Sequence, residues 1–307
     1  MNELQSILLS DMPLLISTDG YRRLMASAFP MVQPSEFFLA RKEYETESRE
    51  AFQKIKAQLV GDTELTMDYD SPELPDGSVA YHRVWGVITA SSRYYFSSKQ
   101  LERNLLAAEQ NPQITSHLLH VNSPGGEAWY LDRLSETLSH LDKPVVVLYE
   151  TACSAAYHIA CHGRRVYATT DFDFVGCIGT MVSFYDFQGY YEQLGIKLIK
   201  AKADGSDLKN KMFDDLRQGK PQQYIDEVLN PLNDRLLQTV KAQRPQLAKL
   251  DDDAPVLRGE TYFTHTAEEI GLCDGQRTLQ EAVAECAGLG RKWSDSQQKK
   301  QHLYNVL

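Results

Sequence analysis

The stretch KPVVVLYETACSAAYHIACHG, residues 143–163, decides the fold. Val145 to Tyr149 are apolar at every position, the pattern of a strand buried on both faces, and such strands belong to parallel sheets covered by helices. The strand runs into the small residues Ala152, Cys153, Ser154, Ala155 and Ala156, and then into a helix with Ala156, Ile159 and Ala160 at helical spacing. Small residues at such a junction can present a hydroxyl nucleophile beside outward-pointing N–H groups, and a tight packing turn needs the same residues. Both readings of Ser154 stay open on this segment, which names no base.

The flanking pattern extends the sheet. Upstream, SVAYHRVWGVI reads as a strand, SSKQLERNLLAAEQN as a helix that Ser97 or Ser98 can cap, HLLHV as a strand and EAWYLDRLSETLSHL as a helix. Strands alternating with helices of this length mean βαβ crossovers, so the predicted class is α/β with a mainly parallel sheet. Downstream come a strand RRVYAT, a Gly-punctuated segment VGCIGTMVSF, a helix YDFQGYYEQLG and a strand IKLIKAKA. A long helix from about Pro221 to Lys241 follows, which Pro231 should kink. Residues 1–70 read as an N-terminal helical arm, with EFFLARKEYETESREAFQKIKAQLV as its best amphipathic stretch. Residues 71–77, inside the Pro- and Asp-rich DYDSPELPDG, read as a linker, 78–288 as the α/β domain and 289–307 as a polar C-terminal tail.

Composition narrows the function classes. A chain of 307 residues with 42% hydrophobic and 24% charged residues is an ordinary soluble globular protein, which excludes disorder. A net charge of −10 argues against nucleic acid as a partner, because phosphate binding needs clustered Lys and Arg. Glu3 stands where a basic leader region would sit, and Asp11 and Pro13 interrupt the first apolar run, so neither a signal peptide nor a membrane anchor is expected. The five cysteines, Cys153, Cys161, Cys177, Cys273 and Cys286, are odd in number and mostly in apolar segments, which fits a reduced, cytoplasmic protein.

A second turn matters as much as the first. In HVNSPGGEAWYL, residues 120–131, a buried strand again runs into a turn and a helix, and Pro-Gly-Gly lets the backbone approach a ligand with free N–H groups. Both turns fall at the C-terminal ends of successive parallel strands, the edge where ligand sites of α/β sheets assemble. One turn offers donors and the other a hydroxyl, the arrangement needed for acyl transfer, in which each oxyanion donor is worth about 3 kcal/mol. The N–H groups of Gly126 and Ala155 are the expected donors.

Together these residues resemble the signal peptide peptidase A family of serine endopeptidases, which shares the Clp/crotonase-like fold. NSPGG at Asn122 to Gly126 matches the family's oxyanion motif, with Gly125 in support, and CSAAY at Cys153 to Tyr157 matches its nucleophile segment. GCIG at Gly176 to Gly179 and RGETYFTHTAEEIGLCDG at Arg258 to Gly275 match later landmarks, so the likeness covers roughly residues 77–285 in matching order. Within the family the sequence looks most like the lambda-type phage capsid-assembly proteases.

The resemblance implies a Ser-Lys dyad with Ser154 as nucleophile. The family's Gly-x-x-Lys pattern places the base at Lys209 with one residue inserted, and Lys211 and Lys202 are the alternative registers. The Clp-type enzyme has a histidine about two dozen residues after its serine, where this chain has Ile178 and Gly179. His158 and His162 share a helix with Ser154 and point away from its hydroxyl, so a Ser-His-Asp triad is disfavoured. A lysine base must be desolvated, since bringing an amine from near 10.4 to neutrality means the site disfavours its charge by about 4 kcal/mol. Two departures bear on efficiency: Ala155 and Ala156 replace a Gly-Gly pair, and Cys177 replaces a serine that in many relatives helps hold the lysine.

Also implied are a peptide or protein substrate, no cofactor, no metal, and a homo-oligomeric ring or dome in which serine and lysine can meet across a subunit boundary. Phage scaffold or portal-type proteins would be the substrates. The competing readings are a bacterial peptidase that degrades signal peptides, a catalytically weak assembly or scaffolding protein, and an acyl-CoA enzyme of the crotonase type. Cys153 as nucleophile yields to Cys153 as a small buried hydrophobe. His158, Cys161 and His162 have the spacing of a helical metal site but lack a fourth ligand, so they read as packing. The aromatic stretches RYYF and FYDFQGYYEQLG are assigned to core and subunit contacts, with a peptide-gripping groove as the sharper alternative.

Overall fold

The double-faced apolar run forms a central strand. In the computed structural model, which describes residues 14–16, 42–184 and 186–306, this strand is β8 (Val145–Cys153). Val145, Val147 and Tyr149 enter one hydrophobic cluster while Val146 and Leu148 enter another, so each successive side chain meets a different helical layer. That is why no position in the run is polar.

β8 pairs in parallel with β6 (Ile114–Ser123), β6 with β3 (Ser78–Trp85), and β3 with the short β2 (Leu65–Thr66). On its other side β8 is shared by two short parallel strands: β9 (Arg165–Ala168) lies along its first half and β10 (Phe174–Gly176) along its last three residues. β11 (Thr261–Phe263) closes that edge antiparallel to β10. The α/β class and the mainly parallel sheet are therefore as the sequence predicts.

The crossovers supply the covering layers. Helices α2 (Ser98–Gln110), α3 (Leu131–Ser139) and α4 (Ala155–Ala160) bury Leu101, Leu105, Leu134, Leu138 and Ile159 on one face. Ser97 caps α2, its Oγ accepting from Gln100 N at 3.3 Å. The other face is covered by α1 (Tyr44–Lys56), through Phe52, and by α9 (Leu279–Val306), through Ala282, Val283 and Cys286. A second, four-stranded sheet runs β1 (Leu14–Ile16), β7 (Gly125–Glu127), β4 (Ile88–Thr89), β5 (Phe96–Ser97).

Several elements differ from the sequence reading. The stretch 71–77 is irregular, yet it is flanked by β2 and β3, which pair with each other, so chain on both sides of it belongs to one sheet. Of the N-terminal arm, residues 1–13 and 17–41 lie outside the described residues. α9 runs unbroken across position 289 in spite of Gly288 and Gly290; a Cβ at 290 would lie 2.4 Å from Thr115 Oγ1, so the helix packs there too closely on β6 for any side chain, and Lys143 Nζ lies 5.7 Å from the Trp293 ring beyond it. The expected strand Ile196–Ala203 is extended chain in no sheet, with Ile196, Leu198 and Ile199 exposed. Ile196, Lys197 and Leu198 alternate as in a half-buried strand, but among the described residues no partner strand comes to them.

The long helix does carry an irregularity at its proline. A single turn (Gln222–Tyr224) passes through a π-turn (Ile225–Leu229) into α7 (Asn230–Gln243). Pro231 lacks an N–H and its ring crowds the carbonyl four residues back, and the π-turn just before it relieves that clash.

Candidate active site

The Ser154 turn is strained and sealed. Ser154 has φ 58° and ψ −119°, a backbone region that non-glycine residues rarely occupy, and its side chain does not cap the helix it begins. It is 1% exposed, and its neighbours Ala155 and Ala156 are buried completely. The turn is pinned from both directions: Ser154 N–H donates to Gly176 O at 2.8 Å, and Ser154 O accepts from His158 N at 3.0 Å. Any bulkier side chain at 155 or 156 would have to open this packing, which is why the sequence shows small residues here.

The Gly-Gly turn becomes strand β7, which lies against α4. Gly125 takes φ 101°, and its N–H donates to Ser123 Oγ at 3.2 Å. Gly126 sits opposite Ile88 of β4, so close that a Cβ at 126 would lie 2.0 Å from Ile88 O. Only glycine fits that approach. Glu127 closes the strand by accepting from Ala90 N at 2.7 Å. The two segments carrying Gly126 and Ala155, which the sequence reading names as oxyanion donors, are thus brought against each other.

The third landmark braces Ser154. Gly176 has φ 116° and could not carry a Cβ, which would come within 2.6 Å of Glu260 O. Cys177, at φ 53°, donates its N–H to the same carbonyl at 2.8 Å. Its thiol is partly buried and its pKa is raised by burial. Carbonyls and amides of GCIG and RGETYF therefore hold one another, and Gly176 in turn holds Ser154.

The candidate bases are placed differently. Residues 186–210 are exposed apart from a partly buried Phe187. This arm is tied mainly to itself, with Phe184 and Phe213 rings 5.2 Å apart and Arg217 donating to Asp186 Oδ1 at 2.8 Å. Lys202 approaches Asp214 at 3.7 Å, and Lys211 pairs with Asp215 one turn along α6 (Lys211–Arg217). Of the three registers, only Lys209 makes no side-chain hydrogen bond or ion pair among the described residues. It lies in an exposed turn, its N–H donating to Ser206 O at 3.1 Å.

Other titratable groups near Ser154 are held in inert forms. Burial pushes the His158 pKa down to about 3, and His162, whose Nε2 lies 2.8 Å from Ser135 Oγ, down to about 4. Cys153 is pushed up to about 12, first by burial and then by its neighbour Cys177, which leaves a neutral thiol packed as a small hydrophobe. Among the described residues no group of three or more His, Cys, Asp and Glu is placed to hold a metal.

Sequence reasoning missed the clamp behind the helix that follows Ser154. Buried Arg244, at the end of α7, forks onto Asp274 with contacts of 3.0 and 2.9 Å and donates Nε to Gly271 O at 3.1 Å. Asp274 Oδ2 also accepts from Val166 N of β9, and Tyr157 OH of α4 donates to Leu272 O at 3.0 Å. The motif GLCDG thus ties α4, β9 and α7 together. Its Asp274 is visible in the sequence, whereas nothing around Arg244 announces the pair.

Comparison with known proteins agrees with this geometry. The model of peptidase family S49 matches residues 138–291, from the end of α3 through β8, Ser154, the arm and most of α9's buried half. A candidate signal peptide peptidase SppA of Enterococcus faecium is 24% identical over 249 residues, 76% of this chain and 70% of that one. A candidate protease of Methanocaldococcus jannaschii is 26% identical over 62% of this chain and 60% of its own length. Protease 4 of Haemophilus influenzae is 28% identical over 64% of this chain, which spans 32% of that longer protein. Among solved structures, the 1510-N membrane-bound stomatin-specific protease in complex with a substrate peptide aligns over 70% of this chain and 80% of its own, at 12% identity and a TM-score of 0.43. With half of its residues matched by the family model, and with the glycine and serine turns packed against each other inside a parallel α/β sheet, this chain belongs to peptidase family S49, a family of serine peptidases.

Proposed function

We propose that this serine peptidase hydrolyses peptide bonds through Ser154 and Lys209, with the N–H groups of Gly126 and Ala155 as the oxyanion hole. The observation that carries the reading is the strained, buried turn at Ser154 set against the Gly-Gly strand β7. In acylation Ser154 Oγ attacks the peptide carbonyl carbon and its proton passes to Lys209 Nζ. The oxyanion collapses, the C–N bond breaks, and the lysine returns the proton to the leaving amine. Water then attacks the acyl-serine ester with the lysine again as base, releasing the acid and free Ser154.

Lys209 is exposed in the single chain, so a base of this kind has to be desolvated by assembly. A ring or dome of copies, with the arm of one protomer meeting the serine of the next or folding onto its own, supplies that burial. The exposed Ile199 and Leu208, 88% and 72% accessible, are the arm's apolar contact surface. We assign the protein to capsid maturation, acting in the host cytoplasm on scaffold or portal-type proteins. The Enterococcus relative's name favours a second reading, a peptidase that degrades signal peptides. Among the described residues no helix is long and apolar enough to cross a membrane.

The test is intact-mass analysis of the assembled protein after treatment with a fluorophosphonate. The parent should gain one adduct per chain, and Ser154→Ala and Lys209→Ala should gain none. Co-assembling the two inactive variants should restore labelling if the dyad is shared between copies. Labelling that persists in Lys209→Ala moves the base to Lys211 or Lys202. A well-formed oligomer that never labels would replace the peptidase mechanism with an assembly role.

A further inference from the structure

The strand that carries Gly126 has two edges, and both are taken. One edge is closed by β4, where Gly126 approaches Ile88 too tightly to admit any side chain. The other is taken by β1, a three-residue piece of the chain's own N-terminal region. β1 runs antiparallel to β7 in the register Leu14↔Glu127, Leu15↔Gly126, Ile16↔Gly125. It is the terminal strand of the small sheet, so β7 is its sole partner there.

A peptide whose carbonyl is to reach the Gly126 N–H must lie along β7, because an extended backbone gains its hydrogen bonds by adding to a strand edge. The β4 edge cannot open without breaking the close approach at Ile88. The remaining edge is where Leu14–Ile16 lies. We propose that Leu14–Ile16 is an internal, displaceable occupant of the substrate edge of β7, so that a substrate must compete with the chain's own N-terminal segment. This rests on the assignment of Gly126 to the oxyanion hole.

The chemistry of the occupant indicates what displaces it. Residues 14–16 read Leu-Leu-Ile, flanked by Pro13 and Ser17. Their replacement is an extended segment with consecutive large aliphatic residues, entering antiparallel to β7. A three-residue strand makes few ladder bonds, and strands that short are marginal without further support. A peptide that pairs with β7 over a longer run than these three residues can therefore displace β1. A chain shielded in this way withholds its site until the right substrate, or assembly, draws the segment off.

Binding can be read without turnover. The full-length Ser154→Ala protein is titrated with a fluorescent peptide of residues 10–20, SDMPLLISTDG, by anisotropy, with and without Leu15→Pro or Ile16→Pro. Backbone N–H groups of a strand alternate in direction, so at least one of these prolines removes a donor aimed at β7. If the occupant is docked about nine-tenths of the time, freeing the edge tightens peptide binding about tenfold. Exchange of the amides at 125–127 should quicken in the same variant before peptide is added. Unchanged affinity and unchanged exchange in both proline variants, each with its melting transition intact, would show that β1 is not an occupant of a binding edge. Fluorophosphonate labelling of the parent, run alongside, separates the two claims: labelling with unchanged affinity removes only the occupant, and tightened binding without labelling removes only the serine chemistry.

Discussion

The nucleophile turn and the lysine arm are built on opposite principles. Ser154 is locked by backbone bonds to Gly176 and from His158, among buried residues. Lys209 sits on a stretch that is almost wholly exposed and ties mainly to itself. On the proposed dyad, one half of the chemistry is finished within the fold, and the other half is held out toward something else. A preorganised serine costs conformational strain that a large buried core can sustain, whereas a lysine buried in the free protomer would cost desolvation before any partner repaid it. On that proposal, assembly completes the site.

The sharpest way to break the finished half is through its clamp. Arg244→Ala leaves Asp274 without its cation behind the Ser154 helix; removing one partner of a buried, hydrogen-bonded pair costs upward of about 3 kcal/mol, and the 21% exposure of Asp274 keeps the cost near that lower end. Denaturant melts should show that loss in the midpoint, with the arm's ion pairs untouched. Next is Gly126→Ala, whose Cβ would lie 2.0 Å from Ile88 O. β7 must shift away from β4, and misalignment of this proposed oxyanion donor should lower turnover about 10²- to 10³-fold. Retention of full activity would remove Gly126 from the oxyanion hole.

What the sequence disclosed follows the same division. β8 was legible because its two faces enter two clusters and so exclude polar residues, and the turns were legible because close packing admits only small ones. The close approach of Gly126 to Ile88 was not, since it joins residues 38 positions apart whose contact no local pattern encodes. Arg244 was hidden for the same reason. The arm misled: Ile196, Leu198 and Lys197 alternate as in an edge strand, and period alone cannot tell a strand with a partner in the same chain from one without. The site residues closest to Ser154 were thus readable from side-chain size, while the lysine register had no local physical signature.

A pH titration sharpens the contrast, because only the finished half holds neutral histidines. His158, with both ring nitrogens unpartnered and its ring 6.0 Å from that of His162, has a folded pKa of about 3 against 6.5 when free. As pH falls through 6.5 the unfolded chain takes up the proton first, so this contribution to stability is complete above that value and is lost progressively down to about pH 3. At pH 5 the loss from His158 is about 2 kcal/mol. His158→Leu should reduce the fall in melting temperature between pH 7.5 and 5, leaving the part due to His162 with its pKa of about 4, without lowering it at pH 7.5, since an unsatisfied ring is replaced by an aliphatic side chain. An unchanged slope would mean that water or a proton reaches this ring.

The smallest effect on the fold should come from the arm, and that smallness is what tests the division. Ile199→Asp and Leu208→Asp change side chains that are already in solvent, and surface changes of this kind stay within about 0.5 kcal/mol. The melting temperature of the dilute protomer should therefore not move. Assembly and fluorophosphonate labelling should fall together, because the apolar contact proposed to bury Lys209 is lost while Ser154 is untouched. If either substitution lowered the protomer's own stability as much as Arg244→Ala, the arm would be part of the core. If assembly failed while labelling survived, the base would act within one chain, and the exposed Lys209 would have to reach Ser154 without a second copy.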